Sequence, residues 1–143
     1  LLATLGPDLL GEHFDEEEAL ARLRAHKDLP IGEALMQQRL VAGIGNVYKS
    51  EILFMNRLDP FRPVTAFDDA TLRQCLRSAR HYLRRNLQGQ RRKFRGSTLG
   101  DRLWAYRRRD LPCLECATPI AMDRQGEAAR STYYCPRCQG VGR

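Results

Sequence analysis

A mainly α-helical bundle followed by a small β-hairpin module is the fold class this sequence predicts, and three observations predict it. Apolar residues recur at helical spacing through most of residues 15–86. Glycine- and proline-bearing stretches punctuate that pattern into separate helices. The tail carries two close pairs of cysteines with strand-like segments between them, a module too small to hold together by apolar burial alone. A chain of 143 residues suits one ordinary domain or two small ones, divided here as 1–100 and 101–143.

Each element follows from its own residues. Asp15 can cap a helix in which Glu18 stands three residues on and Ala19, Leu20 and Leu23 form an apolar stripe. Pro30 ends that region, and Gly32 to Arg39 reads as a second helix. Val41 to Asn46 is too glycine-rich for a helix interior, and a helical run follows from Val47 to about Arg57. Asp59 to Pro63 is a turn. Asp68 or Asp69 caps the most regular helix, which runs to about Asn86 with Leu72, Cys75, Leu76, Ala79 and Leu83 on one side. Residues 88–100 are polar and basic and read as a mobile loop. Leu103 to Tyr106 reads as a short strand, as do Thr118 to Met122 and Ser131 to Tyr134, with the polar stretch Asp123 to Ala128 between the last two.

Composition narrows the function. The hydrophobic fraction of 43% supports a folded core, and no apolar run approaches the roughly 20 residues of a membrane span. Nothing at the start resembles a signal peptide, so a cytoplasmic protein without membrane association is expected. The net charge of +7 favours a polyanionic partner. Its distribution is uneven: from Arg73 to Arg109 basic residues face only Asp101, whereas residues 1–33 are rich in acids. The cations are nearly all arginine, which binds phosphate bidentately. A solvated arginine-rich helix is the plainer alternative.

Cys113, Cys116, Cys135 and Cys138 form two C-x2-C pairs separated by eighteen residues. Each pair can place two thiolates on one side of a tight knuckle, and a hairpin can bring the knuckles around one tetrahedral Zn2+. With no open coordination position the ion would be structural, and chelation should unfold the module. Disulfides fit two C-x2-C pairs poorly, and ligand softness alone admits iron as well as zinc. Four thiolates on a divalent ion carry a formal charge of about −2, which Arg137 and Arg130 could offset. Cys75 reads as a small core residue.

The run Gly43-Ile44-Gly45-Asn46 is the second constellation. Gly43 and Gly45 allow positive φ and close approach of another backbone. Asn46 stands at the start of the next helix, where its side chain can cap or donate and where first-turn amides can receive a phosphate. These residues alone leave a structural turn and a phosphate-binding turn equally open.

The segment from Ile31 to Phe54, IGEALMQQRLVAGIGNVYKSEILF, resembles the helix–two-turn–helix motif of the formamidopyrimidine-DNA glycosylase / endonuclease VIII family. The run from Cys113 to Gln139 is similar to that family's C-terminal zinc finger, and Leu5 to Leu10 matches the way the family enters its helical domain. The resemblance implies a helix–two-turn–helix bundle followed by a small β-hairpin zinc finger. It implies that Asn46 and Arg130 clamp phosphates beside a damaged nucleotide in kinked double-stranded DNA. Gly43, Gly45 and Lys49 are further DNA-binding candidates. Lys49 also reads as a solvated side chain, and Gln38 as a local hydrogen-bonder. The basic band from Arg73 to Arg109 would add sequence-independent, salt-sensitive affinity.

Two stretches depart from the family pattern: Ala117 stands where members usually have Gly, and Tyr106 to Asp110 replaces a more usual Tyr-Gly-Arg-x-Gly. Leu103 to Tyr106 and Ile31 to Leu35 look nearer the endonuclease VIII branch, which prefers oxidised pyrimidines, than the branch acting on oxidised purines. The family's chemistry uses an N-terminal proline and an adjacent glutamate on a β-sandwich domain. Leu1 and Leu2 do not match that pair, so no catalytic residue is assigned. The first residue is Leu rather than Met, which points to a fragment of a longer repair glycosylase, monomeric and acting on the nucleoid. Its partners would be damaged DNA and the N-terminal catalytic domain of the same protein. The alternatives are a stand-alone DNA-binding protein that does not cut, or a zinc-ribbon interaction module.

Overall fold

A computed structural model describes residues 5–87, 94 and 103–142. Helix α1 (Glu16–Ala25) starts where Asp15 accepts a hydrogen bond from the Glu18 amide at 3.0 Å, with acids filling the first turn against the helix dipole. Helix α2 (Ile31–Ala34) is a single turn, shorter than the expected run to Arg39. The Ile31 and Gly32 amides donate to the carbonyls of Arg62 and Pro60, so the Asp59–Pro63 turn does the capping. Beyond α2 the Met36 and Gln37 amides donate three residues back, to Glu33 and Ala34, and the Gln38 side chain then ties down the following turn. Its Oε1 accepts from the Gly43 amide at 3.0 Å and its Nε2 donates to the Ile44 carbonyl at 3.2 Å, folding residues 38–44 back on themselves.

Helix α3 (Asn46–Met55) follows that turn, and a 3-10 turn (Val64–Ala66) precedes helix α4 (Asp69–Leu87). Asp68 caps α4 by accepting from the Thr71 amide at 2.8 Å. The periodic apolar side of α4 is buried as expected, with Leu72, Cys75, Leu76, Ala79 and Leu83 meeting Leu20 and Leu23 of α1, Ile31 and Leu35, and Ile52 and Leu53 of α3 in one core. Cys75 lies inside it, and burial pushes its thiol up to about 12, which suits an inert packing residue. Among the described residues no helix is long and apolar enough to cross a membrane. The expected loop over 88–100 lies, apart from Phe94, outside the described residues; Phe94 packs against Tyr48 and Tyr82.

Strands β1 (Ala121–Gln125) and β2 (Arg130–Tyr134) form the antiparallel hairpin, paired from Ala121↔Tyr134 to Gln125↔Arg130. Strand β1 starts and ends three residues later than the expected Thr118–Met122. Residues 118–120 instead pair backwards, with Cys113 N donating to Thr118 O and Ile120 N to Leu111 O, which builds the first cysteine knuckle. The far end of β1 is fixed by Gln125, buried between Pro60 and Thr132 with hydrogen bonds to both. The strand expected at Leu103–Tyr106 is absent: these residues form a bend and turn. The cause is a carboxylate. Glu51 of α3 accepts from the consecutive amides of Trp104, Ala105 (2.8 Å) and Tyr106 (3.1 Å), leaving no amides for a ladder. Trp104 then stacks on Phe54, joining a second apolar cluster of Ala105, Cys113, Ile120 and Cys135.

Candidate nucleic-acid interface and metal centre

The third helix supplies one polar face to the outer edge of β2. Asn46, Lys49 and Ser50 stand at i, i+3 and i+4, which puts them on one side of α3. Asn46 Nδ2 donates to Ser131 Oγ at 3.0 Å, Lys49 Nζ donates to the Ser131 carbonyl at 3.1 Å, and Ser50 Oγ accepts from the Tyr133 amide at 3.2 Å. An edge strand normally presents unpaired backbone groups, and here helix side chains satisfy them. The arrangement brings Asn46 beside Ser131, whose chain neighbour Arg130 begins β2 and is exposed.

The expected site residues occupy different environments. Gly43 has φ of +120°, a left-handed geometry that favours glycine. Gly45 is extended (φ −95°) and caps α3 without a side-chain hydrogen bond; a Cβ there would meet nothing within 4 Å. Asn46 does not cap its own helix, and its Oδ1 is buried without a hydrogen-bond partner. Lys49 is not solvated: it is 1% exposed. Burial pushes its ammonium down to about 8, with the Arg130 guanidinium adding to the fall and Glu33 opposing it. Gln38 is the local hydrogen-bonder that its position suggested.

Lys49 and Arg130 share a groove of about 1020 Å³ between the helices and the hairpin turn, along with Arg22, His26, Glu33 and Gln125. Much of the basic band lies elsewhere and is committed to the fold. Arg73 and Arg77 form bidentate pairs with Glu17 and Glu16 of α1 at 2.8–3.0 Å. Arg80 donates to the carbonyls of Leu9 and Gly11, and Arg108 to those of Trp104 and Pro112. These arginines hold protein acids and carbonyls, although Arg77 is exposed; Arg84, Arg85, Arg107, Arg109 and Arg130 are exposed as well. Arg91, Arg92, Lys93, Arg95 and Arg102 lie outside the described residues.

The four cysteines converge. All four Sγ atoms lie within 4.8 Å of one another, with Cys113–Cys138 at 3.8 Å and Cys116–Cys135 at 3.5 Å. A tetrahedron with metal–sulfur bonds of about 2.3 Å has edges of about 3.8 Å, so the set fits one Zn2+. The Glu115 and Cys138 amides point at Cys113 Sγ (3.4 Å) and Cys135 Sγ (3.3 Å), the bonds that orient thiolates in such knuckles. Held by these four thiolates, the ion would have no open position and would serve as a structural cross-link. Arg137 flanks Cys116 and Cys138, as expected, but its companion there is Arg57 from the end of α3, while Arg130 faces the groove instead.

This geometry meets known proteins at both ends. Residues 5–96 match the formamidopyrimidine-DNA glycosylase H2TH domain, and residues 110–141 match the zinc finger found in FPG and IleRS. The chain belongs to the formamidopyrimidine-DNA glycosylase / endonuclease VIII family. It is 42% identical over 137 residues to "Probable endonuclease 8 2" of Streptomyces coelicolor, covering 94% of this chain and 49% of that protein. The crystal structure of MutM (Fpg) from Thermus thermophilus superposes with a TM-score of 0.82 at 32% identity, over 99% of this chain and 56% of that one. The complex of Lactococcus lactis Fpg with N7-benzyl-Fapy-dG DNA superposes at 0.79 with 26% identity, over 95% and 51% of the two chains. The chain thus spans about half the length of the relatives it matches. Within the family it stands nearer the endonuclease VIII branch: relatives bearing that name reach 43% identity, those named formamidopyrimidine-DNA glycosylase 35%.

The family's usual glycines also explain three strained residues. Arg107 (φ 61°), Asp110 (φ 68°) and Ala117 (φ 69°) hold left-handed conformations at the positions where members usually have glycine. Sequence reading missed Glu51, Ser131, Gln125 and Gln139. Glu51 carried a signal, a carboxylate leading directly into Ile52-Leu53-Phe54, a run that is buried. Ser131 and the glutamines carried none, because each has one partner distant in sequence. Gln139, for example, donates to Leu58 O at 2.9 Å and accepts from Cys135 N at 2.8 Å.

Proposed function

We propose that this chain is the DNA-gripping C-terminal part of a bifunctional DNA glycosylase/AP lyase of base excision repair, acting on oxidised pyrimidines in the bacterial cytoplasm. The observation that carries this reading is the pairing of Asn46, at the start of α3, with the Arg130–Ser131 corner of β2 through a 3.0 Å hydrogen bond. That bond ties the start of α3 to the residue that follows Arg130 in β2, and the resemblance assigns Asn46 and Arg130 to phosphates.

To grip a phosphate, Asn46 Nδ2 exchanges the Ser131 hydroxyl for a phosphate oxygen, and the freed hydroxyl, a donor as well as an acceptor, can bond the phosphate too. Arg130 adds a guanidinium fork. Gly45, with open space over its Cα, and Gly43, which bends the turn, let a sugar-phosphate backbone approach the uncapped start of α3. The exposed Arg84 and Arg85 contribute charge, whereas Arg73 and Arg77 stay with their glutamates. In this reading the nucleophile belongs to a separate N-terminal catalytic domain of the same monomeric protein, and this chain supplies grip, register and DNA bending.

Binding to a duplex with one abasic-site analogue, titrated over salt, tests the reading, together with borohydride trapping on a true abasic site. Expected is a steep log–log salt slope that falls by about one in Arg130→Ala, and no covalent adduct. Salt-insensitive binding, or a slope unchanged in Arg130→Ala, would overturn the phosphate grip. A trapped adduct would move chemistry into this chain.

A further inference from the structure

Lys49 is the anomaly of the interface. Its Nζ is buried and donates to one backbone carbonyl, that of Ser131, and among the described residues no carboxylate forms an ion pair with it. A buried cation is ordinarily paired, because desolvation is otherwise uncompensated. The charged groups facing it from each surrounding element do not supply the partner. On α1, Glu18 is bound to Arg22 at 2.7 Å, and His26 lies on the rim; on α2, Glu33 attracts from a distance; after α2 comes Arg39; on the hairpin stand Glu127 and Arg130. The charge next to Lys49 with the larger effect is Arg130, which repels it.

We propose that Lys49 is a positioning residue that pins the Arg130–Ser131 corner, and that DNA phosphate is its missing counter-ion, so that binding takes up a proton at this amine. The proposal rests on the phosphate-grip reading. An anion held by Asn46 and Arg130 cancels the repulsion from the guanidinium and adds an attraction, so both changes favour the ammonium. With an amine that loses its proton near pH 8 in the free chain, the sign is fixed. Below about pH 7 Lys49 is already charged and affinity is flat. Above pH 8 each bound duplex must recruit a proton, and affinity falls by up to about tenfold per pH unit, the limit for one linked proton.

The test uses the 143-residue chain and an abasic-analogue duplex. In wild type Kd should rise about tenfold between pH 7 and pH 9, and in Lys49→Met the rise should vanish, while His26→Gln retains it. Calorimetry at pH 8.5 in two buffers of different ionisation enthalpy counts the proton directly in wild type, so the test does not depend on the variant folding. A flat wild-type profile with no proton uptake sinks the proposal and leaves the phosphate grip intact. A rise that persists in Lys49→Met sinks it too. Failure to bind duplex DNA at any pH removes the grip, and the proposal with it.

Discussion

Lys49 sits where a lysine is least comfortable, and its neighbours show why the position tolerates one: the Ser131 carbonyl accepts a hydrogen bond that water would otherwise accept. The folded chain binds that proton less tightly than the unfolded chain does, since burial moves the amine from its ordinary value of 10.5 to about 8. Between those values the unfolded state carries more protons, so stability rises with pH across the window, and the penalty is fully present below pH 8. Lys49→Met should therefore stabilise the fold by about 1–2 kcal/mol at pH 7, an advantage gone by about pH 10.5. Denaturant melts at pH 7 and pH 10 check it, and equal gains at both would show that packing rather than charge decides. A second residue-scale strain lies at Ala117, held at φ 69° in the first cysteine knuckle. Ala117→Gly should relieve about 1 kcal/mol and slow zinc loss to a chelator; unchanged metal release would show that the knuckle carries no strain.

At the scale of elements, α3 organises the molecule because four of its side chains face outward to other segments. Three join β2, and the fourth, Glu51, collects the amides of residues 104–106. Burial pushes Glu51 up to about 7, against the pull of three backbone amides and Arg108. Glu51→Gln keeps the volume but turns an N–H donor towards other donors, so about 2 kcal/mol of stability should be lost, with Trp104 fluorescence shifting towards that of a solvated indole. A silent substitution would mean that the Phe54–Trp104 stack, not the carboxylate, holds the segment. The helices themselves were legible in sequence, because caps and apolar spacing are local: Asp15, Asp68 and the Leu72–Leu83 stripe behave as they read. What could not be read was determined at a distance. Nothing near Leu103 announces a glutamate more than fifty residues earlier, and nothing in Arg73 or Arg77 tells that acids of α1 neutralise them. A charge count therefore overstates the cations available to a polyanion. The metal site was the easier reading, since its ligand spacing and its geometry are nearly the same information.

Considered whole, the chain has two centres of cohesion. One is the apolar core of the four helices, and the other is the small cluster around Cys113, Ile120 and Cys135, which depends on metal for its cross-link. Strong chelation should unfold the hairpin, abolish DNA binding, and leave the helical far-UV signal and its cooperative melt largely in place. Complete loss of helix on chelation would mean that the two centres fold as one.

The capping of β2 by α3 has a consequence for handling the protein. Once the hairpin leaves the helix, the Tyr133 amide and Ser131 carbonyl become free hydrogen-bonding groups on a strand that also bears Tyr134, the ready template for pairing with another copy. Metal-stripped preparations should become turbid with rising concentration while metal-loaded ones stay clear, and chelating buffers are the wrong choice for purification.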